Sequence, residues 1–421
     1  MGQFVKGAWP LLLGMLLLMV GNGMHGTLLG IRGEAAGFST FEMSMVMSAY
    51  FVGFLGGSRV TPELIRRVGH VRVFAAMASM ISAVLILYPT LEHPVAWIAG
   101  RALMGLCFSG VYVTAESWLN NAATNDTRGK ALSIYMMVQM IGIVTAQGMM
   151  TIPDVTGFLL FVIPSVLVSI SFAPILLSVS PTPAFETTKP MSLKELFENS
   201  PLGVVGMFML GGVFSAQFGM SAVFATRAGL SLSELSLFIA AFYVGATVFQ
   251  YPLGWMSDRM DRRVLIMFVA AIGAAGATLG FVAGDNYSML LVAALFIGGF
   301  SNPLYSMLIA HANDFLEYED MAAASGGLVF VNGVGAIAGP LITGWMMDVV
   351  GPRGYFIYLI ILLAALGVYA GYRTTRRPAA PADETGSYTA VMPTASVVAV
   401  EVAQEVAIET AMEEEQEAAA G

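Results

Sequence analysis

Long apolar stretches alternate with short polar links along most of the chain. A helix needs about 20 apolar residues to cross the hydrocarbon core of a bilayer, and twelve stretches between Trp9 and Tyr372 approach or reach that length. The predicted spans are 10–31, 43–60, 72–91, 95–117, 131–152, 157–179, 202–223, 234–254, 264–283, 287–309, 323–346 and 355–372. Because only helices and closed barrels satisfy every backbone polar group in lipid, the pattern predicts an all-α polytopic membrane protein with twelve transmembrane helices.

The longest polar interruption, Ser180–Pro201, divides the twelve predicted spans into six and six. Within it, Ser192 and Glu195 have the spacing of a capping box, which predicts a short helix on the membrane surface. The predicted units are an N-terminal six-helix bundle (1–179), a cytoplasmic linker with a short interfacial helix (180–201), a C-terminal six-helix bundle (202–377) and an acidic disordered cytoplasmic tail (378–421).

The two bundles also resemble each other in sequence. The fourth predicted span contains the run Gly105–Tyr112 and the tenth contains the run Gly298–Tyr305, with glycine and tyrosine at matching offsets. Two similar six-helix halves around a site near the bilayer midplane are an architecture of transporters. The duplication therefore predicts two pseudo-symmetric bundles with a solute site between them.

Basic residues predict the orientation of these bundles. With both termini in the cytoplasm, fifteen Lys and Arg residues fall in inner links and three, Arg32, Arg227 and Arg353, in outer ones. Positive charge is enriched in cytoplasmic loops. We therefore predict a bacterial inner-membrane protein with both termini in the cytoplasm.

The composition supports a membrane protein and places the net charge in the tail. Hydrophobic residues make up 57% of the chain and charged residues 11%, and the mean hydropathy is +0.75. Residues 378–421 carry nine acids and no base, which accounts for the net charge of −9. Such a segment is typical of a disordered solubilising tail; the alternative is a weak helix from Val397 to Met412 that docks on a partner. The absence of a basic patch argues against nucleic-acid binding.

The link between the eighth and ninth spans reads Gly254-Trp-Met-Ser-Asp258-Arg259-Met-Asp-Arg262-Arg263. This run resembles the signature of the major facilitator superfamily, Gly-x-Leu-Ala-Asp-Arg-x-Gly-Arg-Arg. A carboxylate at the end of a helix can pair with arginines, and such a cluster can hold the cytoplasmic side closed. The alternative is that these arginines only set the topology.

The link between the second and third spans carries a degenerate copy of the signature. Arg66 stands where the aspartate is expected and His70 where an arginine is expected, while Arg67 and Gly69 match. The second-half copy departs only at Asp261, which replaces a glycine. The predicted cytoplasmic gate therefore comprises Gly254, Asp258, Arg259 and Arg262 of the second half with Arg67 and Gly69 of the first.

Arg101 lies inside the fourth predicted span. A charge in the membrane is costly unless it faces a partner or a cavity, so Arg101 is a candidate for the solute or proton pathway; an arginine near the interface could also extend its head to water. In the same span, Glu116 either titrates during transport or pairs with Arg128 or Lys130.

Other polar and aromatic groups within the spans are candidates for the same pathway. His25 can titrate near neutral pH, although glycines beside it also suit a structural, hydrogen-bonded histidine. The further candidates are Asn22, Tyr112, Gln139, Gln147, Gln217, Asn302, Tyr305 and Asn332. Each amide either contacts the solute or joins helices.

Taken together, residues 1–377 resemble a major facilitator superfamily transporter, and three runs resemble its YcaD-like branch. These runs are Leu64–Phe74, Glu116–Asn120 and His311–Asp314. The resemblance implies a monomeric secondary transporter in membrane lipid that moves a small-molecule solute, usually with protons, by rocker-switch alternating access. Motifs of enzymes and cofactor sites are absent, so we expect no catalysis and no cofactor. The alternative is a transporter-like scaffold or sensor whose acidic tail recruits a partner.

Overall fold

The computed structural model describes residues 2–123, 125–150, 157–177, 191–284, 286–316, 318–376 and 388–407. The described helices are α1 Gly2–Ala35, α2 Thr40–Val68, α3 His70–Leu87, α4 Pro94–Ala122, α5 Asn125–Met149, α6 Leu159–Ser171, α7 Ala173–Leu176, α8 Leu193–Asn199, α9 Pro201–Ser215, a π-helical segment Ala216–Met220, α10 Ser221–Arg227, α11 Leu232–Ser257, α12 Arg262–Val282, α13 Tyr287–Asn313, α14 Tyr318–Val350, α15 Gly354–Thr374 and α16 397–407.

These helices supply the twelve spans that the apolar pattern predicts. Within the described ranges, eleven spans are long and apolar enough to cross a membrane; α6 with α7 forms one of them, and α9 with the π-helical segment and α10 forms another. The twelfth is α2, which is 29 residues long but buries Thr40, Ser44, Ser48 and Thr61 against neighbouring helices. Its polar inner face, and not its length, lowers its hydropathy.

Local sequence explains where several helices begin. Ser39 and Glu42 form a capping box at the start of α2, and Ser231 and Glu234 form one at the start of α11. Each box satisfies backbone N–H groups that the first helical turn leaves unpaired. In the linker, Ser192 accepts a hydrogen bond from the backbone N–H of Glu195 at 3.3 Å and begins α8.

Close helix packing repeats in the two halves. A Cβ atom on Gly53 of α2 would lie 1.8 Å from the Ala102 carbonyl of α4, and one on Gly245 of α11 would lie 2.0 Å from the Leu295 carbonyl of α13. Only glycine permits this approach, since small residues let helix backbones come together. The α2–α4 and α11–α13 pairs therefore occupy equivalent places in the two bundles.

The halves contact each other most directly away from the face that carries the basic links. This face, called the basic face below, contains the ends of α2, α4, α11 and α13. Ser48 donates to the Ile337 carbonyl at 2.6 Å, and Arg227 donates to Thr40. A Cβ atom on Gly30 would lie 2.6 Å from the Ala222 side chain. These contacts close the side opposite to the basic face.

Residues 388–407 lie against the basic face, which differs from the expectation of a disordered tail. Residues 397–407 are helical, and Val391, Ala399 and Val400 are each no more than 2% exposed. Apolar side chains explain the difference, because this part of the tail has enough apolar surface to bury despite its acids. The rest of the predicted tail and the unit boundaries near it lie outside the described residues and stay predictions.

Candidate functional site

A cavity of about 100 Å³ lies between the two halves, near the middle of the bundle. Side chains of both halves line it. The polar and aromatic ones are Asn22, Thr27, Tyr50, Arg101, Tyr112 and Gln147 from the first half and Gln217, Phe218, Ser221, Phe242 and Tyr243 from the second. A mostly apolar cavity with a few convergent polar groups is typical of a small-molecule site.

Arg101 lies at the wall of this cavity and is only 5% exposed. Its Nη1 is 3.0 Å from His25 Nδ1, and its guanidinium carbon lies 4.8 Å from the ring centre of Tyr50. The ring of His25 in turn stacks on Tyr88 at 5.2 Å between centroids. Arg101 is therefore held inside the bundle by a histidine and an aromatic face.

The charge of Arg101 has no carboxylate partner in the part of the chain that the structure describes. Its Nε and the Nε2 of His25 are buried without a hydrogen-bond partner among the described residues. Each such atom costs about 1–3 kcal/mol when left unpaired. An arginine cannot lose its charge in a protein, so this corner of the cavity is a ready site for a hydrogen-bond acceptor.

The second half contributes to the cavity through an irregular stretch of helix. Residues Ala216–Met220 form one π-helical turn between α9 and α10. Such turns often occur at functional sites, since they widen the helix and redirect side chains. Here Gln217 and Phe218 line the cavity, and Gln217 Nε2 donates to Ser301 Oγ at 2.9 Å.

Three further predicted candidates, Asn22, Tyr112 and Gln147, lie in the cavity wall. Asn22 Nδ2 lies 3.5 Å from the Tyr112 hydroxyl. Gln147 Nε2 donates to the Gly23 carbonyl at 3.0 Å and lies 3.2 Å from the Thr27 hydroxyl. These residues bring α1, α4 and α5 together at one side of the cavity.

Besides His25 and Glu116, four predicted candidates do not line the cavity. Asn302 donates to the Gly298 carbonyl one turn earlier at 3.0 Å, and Asn332 donates to the Met207 carbonyl of α9 at 3.0 Å. Tyr305 packs edge-on against Phe214 at 6.0 Å. Gln139 is buried, and its Oε1 has no partner among the described residues. In this structure Asn302 bonds within its own helix and Asn332 bonds to a neighbouring helix. A role of any of the four residues in the solute or proton pathway stays a prediction.

Glu116 lies nearer to the basic face and is 2% exposed. It accepts a hydrogen bond from Tyr135 at 3.4 Å and two from Ser396, one of them from the backbone N–H at 3.0 Å. Arg128 instead donates to Glu405 at 2.6 Å. The structure therefore shows the tail as a partner of Glu116, which the sequence pattern did not indicate.

The second-half link forms an ion-pair cluster within its own half. Arg262, 3% exposed, pairs with Asp314 at the end of α13 and lies 3.5 Å from Asp258. Arg259 lies over the ring of Trp255 at 4.4 Å. Asp314 was not among the predicted gate residues, although it follows α13 where the acidic link begins.

Neighbouring charges in this link also pair locally. Burial opposes ionisation of Asp261, but hydrogen bonds from Arg263 outweigh it and lower the pKa of that carboxyl. The side-chain distance between Arg263 Nη2 and Asp261 Oδ2 is 2.8 Å. Asp261 stands where the signature has a glycine, and its carboxylate binds Arg263.

The first-half link forms a separate, exposed cluster. Glu63 pairs with Arg66 at 2.8 Å and with Arg67 at 2.6 Å, and these hydrogen bonds lower the pKa of Glu63 to about 2. Gly69 has φ of 84° between α2 and α3, a conformation that favours glycine. His70 Nε2 lies 2.9 Å from the Ser117 hydroxyl of α4. Within the described chain, neither Arg67 nor Gly69 forms a hydrogen bond or an ion pair with the second-half gate residues.

Several cavity residues were missed by the sequence reasoning. Tyr50, Phe218 and Tyr243 are aromatic residues within apolar runs, where they look like ordinary core residues. Residues 392–394 also line the cavity, although they belong to the tail. Neither set has a spacing signal, because only the packing of distant helices brings them together.

Comparison with known families identifies the kind of fold. The model of the family described as Major Facilitator Superfamily matches residues 11–237 and 203–402. The "Uncharacterized MFS-type transporter YcaD" of Salmonella heidelberg is 25% identical over 379 residues, which cover 87% of this chain and 98% of that protein. The same protein from Salmonella newport is 24% identical over the same length.

Solved structures of transporters share this fold. The nucleoside transporter NupG aligns with a TM-score of 0.72 at 13% identity, over 87% of this chain and 98% of that chain. A bacterial homologue of the lysosomal transporter Spinster, in an inward-facing and unoccupied conformation, aligns with a TM-score of 0.64 at 15% identity, over 95% and 97%. The E. coli fucose:proton symporter FucP aligns with a TM-score of 0.57 at 13% identity, over 88% and 99%.

Proposed function

Since the chain belongs to the major facilitator superfamily, a family of multi-pass membrane transporters, we propose that it is a secondary active transporter of a small organic solute. In this proposal the solute binds in the central cavity, and the two halves rock around it by alternating access. The observation that carries the proposal is the cavity between the halves, with Arg101 in its wall and no carboxylate beside that arginine in the described chain.

The chemistry of the cavity favours a neutral or weakly anionic, partly aromatic solute. Arg101 offers donors to a carbonyl, hydroxyl or carboxylate oxygen, and charge-assisted hydrogen bonds are the strong ones. Gln147 and Gln217 add amide groups, while Tyr50, Phe218 and Tyr243 offer ring faces. The similar structures named as nucleoside and fucose transporters are consistent with a small hydroxylated solute.

We also infer that transport is coupled to protons, and His25 is the group we propose for it. Arginine has only donors, so Nδ1 of His25 must accept the hydrogen bond from Arg101. A doubly protonated imidazole has no acceptor left and loses this bond. Protonation of His25 would therefore release Arg101. In turn, a solute acceptor that binds Arg101 would favour protonation of His25.

The direction of insertion follows from the basic links. Positive-inside asymmetry supports placing the basic face and both termini in the cytoplasm of a bacterial cell, with the protein in the inner membrane. In the structure, the halves close against each other on the opposite side. This geometry is consistent with an inward-facing state.

Uptake into proteoliposomes tests the proposal. Purified protein is screened with nucleosides, sugars, organic acids and lipophilic aromatic compounds, with and without an imposed pH gradient. A ligand that binds the folded state also raises its thermal stability by mass action, which gives a second readout for each compound. We expect at least one compound to stabilise the protein and to enter the vesicles faster when the gradient is present.

Two variants make this experiment specific. Arg101→Gln should lose both the stabilisation and the uptake. Arg32→Gln, which changes an arginine paired with Glu92 at the far face, should keep both. Uptake that is equal in Arg101→Gln and the unchanged protein would contradict the proposed site, and a pH-independent uptake would contradict proton coupling.

A further inference from the structure

The tail segment 388–407 occupies the basic-face end of the central cavity. Met392, Pro393 and Thr394 form part of the cavity wall. Met392 is 4% exposed and Val400 is fully buried. The tail therefore fills space through which a solute would pass between the cavity and the basic face.

The tail is held in this place by both halves. In the first half, Glu116 accepts the Ser396 N–H at 3.0 Å, and Arg128 pairs with Glu405 at 2.6 Å. A Cβ atom on Gly129 would lie 3.1 Å from Val406. The tail helix is thus attached to α4 and α5.

Contacts with the second half are equally specific. Ser306 in α13 accepts the Val391 N–H at 2.9 Å and donates to the Val391 carbonyl at 3.2 Å. Gln404 donates to Asn313 at 2.9 Å and accepts from the Ser325 hydroxyl. These bonds satisfy polar groups of α13 and α14 that would otherwise face the open end of the cavity.

The tail also binds the aspartate of the signature link. Asp258 accepts the backbone N–H of Tyr388 at 2.6 Å, and Gln250 donates to the Tyr388 hydroxyl at 2.8 Å. A Cβ atom on Gly254 would lie 2.6 Å from the Tyr388 ring. Two signature positions, Gly254 and Asp258, therefore contact the tail, and among the described residues neither is hydrogen-bonded to the first half.

We propose that residues 388–407 are an intramolecular plug, which closes the central cavity toward the basic face and must leave its seat before solute can exchange there. The plug joins the two halves on this side beside the direct contact of Arg59 with the ring of Phe330, because it bonds to Glu116 in one half and to Asp258 in the other. Its release would need all these bonds to break together, so small changes at the tail should control access to the cavity.

Access to the cavity can be measured without a known solute. The single cysteine, Cys107, is first replaced by Cys107→Ala in the full-length chain. Ser221→Cys then places a small thiol in the cavity wall. In membrane vesicles that expose the basic face, a charged, membrane-impermeant methanethiosulfonate is added, and the rate of modification at this thiol is followed by peptide mass spectrometry.

A tail variant in this background tests the plug. Ala399 is 1% exposed, so Ala399→Arg cannot be accommodated in the seated tail, whereas Ala399→Ser changes the volume little. In the unchanged chain the unseated tail is a minor conformer, and minor conformers typically populate 0.1–10%. Ala399→Arg should make the unseated tail the main conformer, so modification of the cavity thiol should be faster by about tenfold or more. The rate should stay unchanged in Ala399→Ser. Equal rates in both folded variants would overturn the proposal.

A cross-linked chain covers the case in which Ala399→Arg does not fold. Gly129→Cys with Val406→Cys joins α5 to the tail when oxidised, since these positions are in contact. Oxidation should slow modification of the cavity thiol, and reductant should restore it, while either single variant should not respond. Failure to cross-link, or a cross-link that leaves the rate unchanged, would overturn the plug. None of these readouts depends on transport, so a failure of the proposed function would be seen separately.

Discussion

Two buried arginines of this protein have opposite surroundings. Arg262 is 3% exposed and pairs with Asp314 and Asp258 on the basic face. Arg101 is 5% exposed and contacts His25, Met47 and the ring of Tyr50, with no carboxylate among its described neighbours.

The difference distinguishes the charge of Arg262, which is paired within the fold, from the charge of Arg101, which is available to a ligand. A buried charge that is paired and hydrogen-bonded is satisfied by the fold, whereas one that is not carries a desolvation cost. A fold that tolerates this cost beside a cavity gains a strong donor for a ligand. The comparison therefore predicts that changes at Arg262 reduce stability and that changes at Arg101 reduce binding.

Removing the carboxylate of Asp314 should give the largest effect. Asp314→Ala removes the close carboxylate of the buried Arg262 and leaves it the longer contact to Asp258 and hydrogen bonds to Ser257 and the Ala310 carbonyl; breaking a buried ion pair costs about 3–5 kcal/mol. Thermal unfolding in detergent should show a large fall in melting temperature. As a control, Asp348→Ala removes the partner of Arg227 in an exposed pair, which should cost at most about 1 kcal/mol. Equal losses in the two variants would mean that Arg262 is not held by Asp314.

Replacing Arg101 should separate binding from stability. Arg101→Gln removes a charge-assisted hydrogen bond to the solute, worth about 1.5–3 kcal/mol, and should weaken solute binding roughly tenfold to a hundredfold. Stability without solute should be unchanged or higher, because the desolvation cost of the charge is also removed. Solute titrations of the thermal unfolding temperature measure both quantities. A large loss of stability in Arg101→Gln would make Arg101 a structural residue like Arg262 and would end the contrast.

The position of Arg101 depends on the close packing of α2 on α4. Gly53→Ala would place a Cβ atom 1.8 Å from the Ala102 carbonyl, and overpacking of this kind typically costs about 1–3 kcal/mol. Gly56→Ala on the same helix meets no atom within 4 Å and should be neutral or stabilising. Thermal unfolding and solute binding should both fall in the first variant only. A Gly53→Ala variant with normal binding would show that the cavity adapts to a shifted α2.

The exposed cluster around Glu63 in the first half should contribute least to stability, and only at a pH where the Glu63 carboxyl is ionised. The pKa of Glu63 falls from 4.5 to about 2 because Arg66 and Arg67 donate to it. A depressed pKa gives stability that is present above pH 4.5 and lost as the pH falls toward 2. Glu63→Gln should therefore lower the melting temperature slightly at pH 7, and this difference should shrink as the pH falls from 4.5 toward 2. A difference that persists unchanged at low pH would point to a packing role for Glu63.

Much of the architecture could be predicted because it follows from local physics. The length and apolar character of each stretch predict helices across a membrane, and the capping boxes at Ser39 and Ser231 mark where two of them begin. The link signature indicated the superfamily, which the family match confirms. The predicted spans also agree with the fold of twelve helices in two similar halves.

The site was predicted less completely. Arg101, Asn22, Tyr112 and Gln217 line the cavity, where their roles stay predictions, while Asn302 and Asn332 bond to backbone carbonyls elsewhere. An amide in an apolar helix shows only that a polar group needs a partner. Which partner it finds depends on the neighbouring helix, and the sequence does not give the rotation of one helix against another.

The sequence by itself determined that this chain forms spanning helices and that the helices fall into two related halves. It also determined that the inner links carry positive charge and that the tail carries negative charge. Those features depend on residues close together in the chain. Tertiary structure alone decided that Arg262 is paired and Arg101 is not, and that the tail bonds to Glu116 and Asp258 at the end of the cavity. Each of those contacts joins residues far apart in sequence, so it exists only once the helices have packed.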